Sequence, residues 1–177
     1  MALPVEGSWL DPRIAHVPLG FRGLHADDLH VTVAFFGPIE ARLARRGFEA
    51  LALGAEDEPI ACSLGALVPM GSPTRYSALS ALLVEGREAT EERMRRWRDP
   101  MLDAAEVVRE TRAPKAHVTI ARPTRRATDA ERASGLAWAA TIDLHDVHVT
   151  LDRVALYTWD ETREVKQFRI VDSVRLA

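Results

Sequence analysis

The sequence predicts an α+β fold with mainly antiparallel strands. Strand-like and helix-like runs follow one another in the order β, β-α, β-β-α, β-α, β-β, and several connections are only hairpin-length. A chain of 177 residues, 47% hydrophobic and 28% charged, can bury one good core but is too short for two ordinary independent domains. Residues 1–177 are therefore read as one domain.

Residues 13–19 predict a short strand closed by Pro18 and Gly20, and residues 20–28 a polar loop. Residues 29–36 are β-rich and stop at Gly37-Pro38. Over residues 39–53, Ile39, Leu43, Phe48 and Leu51 recur at helical spacing; Gly47 weakens that helix and Gly54 stands at its C-cap. Residues 60–68 and 76–84 predict an antiparallel hairpin across the loop Met70-Gly71-Ser72-Pro73. Residues 88–108 predict a helix with Met94, Trp97, Met101 and Leu102 on one side, kinked or divided by Pro100. A strand at 116–121 stops before Pro123, and a helix at 128–139 is capped by Thr128 or Asp129. Residues 147–159 and 165–171 predict two closing strands joined by Asp160-Glu161-Thr162.

A net charge of −3 makes the whole molecule no bulk attractor of nucleic acid. No apolar run approaches the roughly 18–20 residues that cross a bilayer, and residues 1–11 show no secretory pattern. Cys62, the single cysteine, excludes an internal disulfide and a cysteine-based zinc cluster, and it reads as a small buried strand residue. The expectation is a cytoplasmic monomer with no membrane contact and no stable protein partner. Arg42, Arg45 and Arg46, and Arg93, Arg95, Arg96 and Arg98, read as solvated helix faces. A third cluster, Arg122, Arg125 and Arg126, directly follows a motif of chemical interest, where it suits a role in holding phosphate.

That motif is His-x-Thr-hydrophobic, present as His30-Val31-Thr32-Val33, His117-Val118-Thr119-Ile120 and His148-Val149-Thr150-Leu151. On a strand, residues two apart share a face, so each motif sets an imidazole beside a hydroxyl while its aliphatic neighbours turn to the core. Two such strands around one pocket supply two imidazoles that titrate near neutrality and two hydroxyls. In-line displacement at phosphorus needs a base on the entering oxygen and an acid on the leaving one, and two histidines provide both without a metal. The first two motifs both enter their strands from a loop and run on through an alanine to a turn. His148 lies inside a longer strand and reads as a structural or surface residue.

The stretches 29–37 and 116–123 resemble the paired signatures of the two-histidine phosphoesterase superfamily, most closely its 2'-5' RNA ligase-like, or RNA 2',3'-cyclic phosphodiesterase, branch. The resemblance covers residues 14–176. It implies a bilobal, pseudo-two-fold α+β fold with a central cleft. It also implies a catalytic set of His30, Thr32, His117 and Thr119, with Arg122 at phosphate or ribose and Phe35 at an aromatic position that lies against substrate. Opening of a 2',3'-cyclic phosphate on an RNA end or small nucleotide is the implied reaction, His117 activating water and His30 protonating the departing ribose oxygen. Reversible 2'-5' ligation would exchange those roles. Two departures stand out: residues 20–28 form a short segment where larger members carry a helix, and Lys115-Ala116 replaces a common proline before the second histidine.

Other residues carry blander readings. By strand parity Phe35 faces the core. His16, His25 and His145 lack partners, and neither His145 with His148 nor His25 with His30 is completed by acidic or thiol ligands, so no metal or cofactor is expected. Trp9, Trp97, Trp138 and Trp159 read as packing residues. Competing functions are hydrolysis of 2'-5'-linked or cyclic oligonucleotide signals, and a nucleotide- or RNA-binding module without turnover, against which the intact motifs argue.

Overall fold

The computed structural model describes residues 1–14, 16–51 and 57–177. Its elements are β1 (Ala2–Pro4), α1 (Leu10–Arg13), β2 (Phe21–Gly23), β3 (His30–Thr32), α2 (Ala41–Glu49), β4 (Ile60–Met70), β5 (Ala78–Leu83), α3 (Arg87–Ala104), β6 (His117–Pro123), α4 (Asp129–Ala139), β7 (His148–Leu151), β8 (Arg153–Trp159) and β9 (Phe168–Arg175), with a 3-10 turn, Ala26–Asp28, just before β3. The strands form one sheet in the order β7-β4-β5-β6-β3-β1-β8-β9, with β2 alongside β6. Every pairing is antiparallel, as the hairpin-length connections predict.

This order divides into two runs of four strands that meet at the β6–β3 pair. The sheet curls into a half-barrel with that pair at the middle of the strand order. One cluster of buried side chains, including Leu3, Val31, Leu64, Met101, Ile120 and Val154, runs through both halves. Cys62 is buried in β4, and burial pushes its thiol pKa up. No helix among the described residues is long and apolar enough to cross a membrane.

Several expectations need correction. No strand is described within residues 13–19; the chain instead opens on β1, whose three residues pair with β3 on one side and, at Ala2, with β8 on the other. Tertiary pairing there outweighs the better local pattern downstream. The 29–36 strand ends at Thr32, because the Val33 and Ala34 N–H groups both turn to the Met1 carbonyl. The 20–28 loop contains the short strand β2. Residues 147–159 break at Asp152 into β7 and β8, which belong to opposite ends of the sheet, and the last strand begins at Phe168.

Among the helices, α2 spans Ala41–Glu49; the predicted C-cap at Gly54 lies outside the described residues. Gly47 serves close packing in α2, since a Cβ there would stand 2.7 Å from Phe36 and 2.9 Å from Ala105. Pro100 sits inside an undivided α3, where burial of Met94, Trp97, Met101 and Leu102 offsets its cost of about 3 kcal/mol. α4 is capped by Thr128 through a reciprocal capping box with Glu131, as the sequence predicts. Arg98 is not solvated: it is 7% exposed and donates to the Val33 and Arg112 carbonyls, holding the bend after β3.

Candidate active site

β3 and β6 are neighbours, with Val31 opposite Val118. Antiparallel alternation then sets His30 opposite Thr119 and Thr32 opposite His117, all four on the face away from the two valines. Val31 and Val118 are fully buried, whereas His30, Thr32 and His117 are half-buried. His30 and His117 are thus diagonal neighbours, a relation that places them roughly 7–8 Å apart at the backbone, with a hydroxyl across from each.

Both rings are held the same way. His30 Nδ1 lies 2.7 Å from the Asp28 carbonyl oxygen, and His117 Nδ1 lies 2.6 Å from that of Lys115. A carbonyl can only accept, so Nδ1 carries the hydrogen in each ring and Nε2 is left with the working lone pair. Thr119 is held by Ser80 of β5, its hydroxyl 3.3 Å away. Ser80 was not singled out from sequence; its signal is a lone buried hydroxyl in an otherwise apolar strand.

Arg122 reaches this face through a β-bulge. Thr119 pairs with Ser80, but Ala121 pairs with Leu79, so β6 holds one extra residue at Ile120. Regular alternation would put Ala121 beside the motif and Arg122 in the core. The bulge reverses that: Ile120 and Ala121 are both buried and Arg122 is exposed. Its charge is felt at both imidazoles.

Desolvation is the main reason both histidines hold protons weakly. It pulls His30 down to about 4, opposed by its bond to the Asp28 carbonyl and by the Asp28 charge, and aided by the N-terminal ammonium and Arg122. His117 is lowered too, by burial first, with Lys115 and Arg122 adding repulsion and the Lys115 carbonyl opposing. Although Arg122 as a whole is exposed, partial desolvation of its guanidinium lowers its pKa.

Aromatic rings from β8 and β9 provide the desolvation around His30. Tyr157 lies 5.1 Å and Phe168 5.5 Å from its ring, Phe168 edge-on, and Trp159 stacks on Phe168 at 4.9 Å. Trp159 is therefore no simple packing residue; it is 50% exposed. Trp97 is buried, and Trp9 and Trp138 pack against the core, as expected. Phe35 departs from the parity expectation: beyond the end of β3 it is 69% exposed, while Phe36 enters the core.

The wall is fastened by Asp28. Its carboxylate is fully buried and accepts the N–H groups of Gln167 and Phe168 at 2.8 and 2.9 Å. Asp28→Ala is expected to loosen the β8–β9 hairpin and raise the His30 pKa from about 4 toward its ordinary 6.5. Asp28→Asn, which keeps one acceptor, should fall between. Loss of the Asp28 charge alone would move His30 the other way, so a ring titration by NMR showing no rise would refute the fastening.

The remaining histidines stand apart. His148 and Thr150 are exposed on edge strand β7, where His148 lies 3.9 Å from Glu85. His25 caps the 3-10 turn, His145 bonds Asp143, and His16 is exposed. Among the described residues no three His, Cys, Asp or Glu side chains are grouped to hold a metal ion. Two recesses of about 510 and 340 Å³ are present: Cys62 and His148 line the first, and Tyr157 and Phe168 are among the residues lining the second. None of the four motif residues lines either.

By sequence, no family model and no curated protein matches the chain. Its structure is similar to a crystal structure of a phosphoesterase, with a TM-score of 0.73 at 16% identity over 99% of this chain and 95% of that one. It is similar to E. coli LigT complexed with 3'-AMP, with a TM-score of 0.67 at 15% identity over 99% and 96% of the two chains. The Thermus thermophilus protein TT0787 aligns with a TM-score of 0.64 at 14% identity over 89% and 83%. The chain has the fold of the two-histidine phosphoesterases. In the two-histidine phosphoesterase fold as this chain builds it, the β6–β3 pair is the seam between the lobes, and each lobe contributes one His-x-Thr motif to it.

Proposed function

We propose that the protein is a metal-independent phosphodiesterase that opens 2',3'-cyclic phosphates on RNA ends or small nucleotides. One observation carries this reading: two imidazoles stand diagonally across one strand pair, each with Nδ1 tied to a backbone carbonyl and each facing a threonine hydroxyl. A phosphate seated between them meets Nε2 from both sides. His117 takes a proton from water as the water oxygen bonds to phosphorus. The bond from phosphorus to one ribose oxygen breaks, and His30 delivers a proton to that oxygen. Thr32 and Thr119 donate to the non-bridging oxygens, and Arg122 offsets their charge. The same steps with an RNA 5'-hydroxyl in place of water join that end to the phosphate in a 2'-5' linkage: the 5'-oxygen bonds to phosphorus and gives up its proton, and the 3'-oxygen leaves and gains one. The LigT structures complexed with 3'-AMP, NADP+ and ATP support a nucleotide-sized ligand for this fold.

With both histidines below their ordinary pKa, the empty site is uncharged at those rings near pH 7. The acid must gain its proton as the anionic phosphate arrives, because a nearby negative charge favours the imidazolium. Phosphate binding therefore takes up protons, and affinity rises as pH falls from 7 toward 5. The test is turnover of a 2',3'-cyclic mononucleotide and a cyclic-phosphate-ended RNA in EDTA across pH 5–8. Activity without added metal is expected, with kcat/KM highest on the acid side of pH 6.5. A requirement for divalent metal, or a profile that only rises toward pH 8, would overturn the reading.

A further inference from the structure

The contacts around the four motif residues form a closed circuit. From His30 it runs to Phe168, then to Trp159, and then to Arg163, whose guanidinium lies 4.4 Å over the Trp159 ring. The Arg163 carbonyl accepts from Arg22 Nη2 at 3.1 Å. Arg22 on β2 stands directly opposite Arg122 on β6, which returns the circuit to both histidines.

Two arginines directly opposite on adjacent strands repel, and such a pair is unfavourable unless something negative lies between or above them. Among the described residues, Arg22, Arg122 and Arg163 have no carboxylate partner; Arg75, Arg125 and Arg126, among others, share that property, but only these three are linked to one another and to His30 by the circuit of contacts. In the Arg163 turn, Asp160 is occupied by the N–H groups of Thr162 and Arg163, and the two glutamates of the turn, Glu161 and Glu164, make no ion pair with Arg163 among the described residues. In a chain of net charge −3, three guanidiniums without acid partners are thus gathered on one rim of the site. Arg122 is accounted for by the reacting phosphate; Arg22 and Arg163 are not. The exposed part of Trp159 adds an aromatic surface between them and His30.

We propose that Arg22 and Arg163 form a second phosphate subsite, so that the preferred substrate is an oligoribonucleotide end and not a mononucleotide. The inference rests on the phosphodiesterase reading and narrows it. The reacting cyclic phosphate sits between the histidines, and the next phosphodiester along the chain meets the Arg22–Arg163 rim. Guanidinium forks suit that role, and Trp159 offers a face to a base once Arg163 turns to phosphate.

The experiment compares kcat/KM for a 2',3'-cyclic mononucleotide and for a dinucleotide ending in the same cyclic phosphate. Wild type should prefer the dinucleotide by about 10- to 100-fold, the range of one charge-assisted contact. Arg22→Gln should bring that ratio close to one and make the dinucleotide reaction less sensitive to salt. Arg22→Lys, which keeps charge but not the fork, should retain part of the preference. Equal use of both substrates by wild type, or an unchanged ratio in Arg22→Gln, would refute the subsite. If neither cyclic phosphate is opened, the catalytic reading fails. The subsite is still decided by calorimetric binding of 3'-AMP against a dinucleotide with a 3'-phosphate, with and without Arg22→Gln.

Discussion

His30→Ala and His117→Ala should each lower turnover of a cyclic phosphate by about 10²–10⁴-fold, the contribution of one positioned acid or base. The two losses should not multiply in the double variant, because the histidines act on opposite sides of a single displacement. His148→Ala should leave turnover nearly intact. His148 carries the same tripeptide, but it lies on β7, at the far end of the sheet order from the β6–β3 seam, with its side chain largely in solvent. Both catalytic candidates are half-buried on a rigid strand pair, so thermal unfolding of each variant should stay close to wild type while activity collapses. An equal loss in His148→Ala would show that the pairing of motifs is wrong. Retention of activity in either of the other two would remove the two-sided mechanism.

The strand motifs were legible because a period of two fixes which residues share a face, and because the same spacing recurs with matching flanks. Sequence spacing could not say that the motifs lie on adjacent antiparallel strands, since that pairing is made across 87 positions of chain. Helices α2, α3 and α4, the β4–β5 hairpin and the Thr128 cap were readable from local chemistry; the four-residue α1 was not. Nor were β1 and β2, since three residues of strand leave no pattern and both are stabilised by partners distant in sequence. Phe35 was misread for a related reason: parity holds only while the strand continues, and bonds from Val33 and Ala34 to Met1 end it early. Asp28, Tyr157 and Phe168 gave no sequence signal beyond ordinary composition, and Ser80 only that of a lone hydroxyl in an apolar strand. Their roles come from contacts that only the folded chain creates.

Arg122→Gln should lower kcat/KM by about 10²–10³-fold, the usual cost of removing one preorganised donor to developing charge. The bulge at Ile120 costs β6 a regular ladder position and in return brings Arg122 to the face that carries both motifs. An arginine that merely decorated the strand would need no such irregularity. Its charge also lowers both imidazoles, so Arg122→Gln should raise the His30 and His117 pKa values together and shift the kcat/KM optimum toward higher pH. Arg122→Lys separates the two effects: it keeps the charge, and with it most of the pH profile, but loses the planar fork that can hold two phosphate oxygens. It should therefore remain well below wild type at an almost unmoved optimum. Wild-type activity in both variants, with neither histidine titration displaced, would mean that Arg122 only borders the site and that the threonine hydroxyls with the two imidazoles hold the phosphate by themselves.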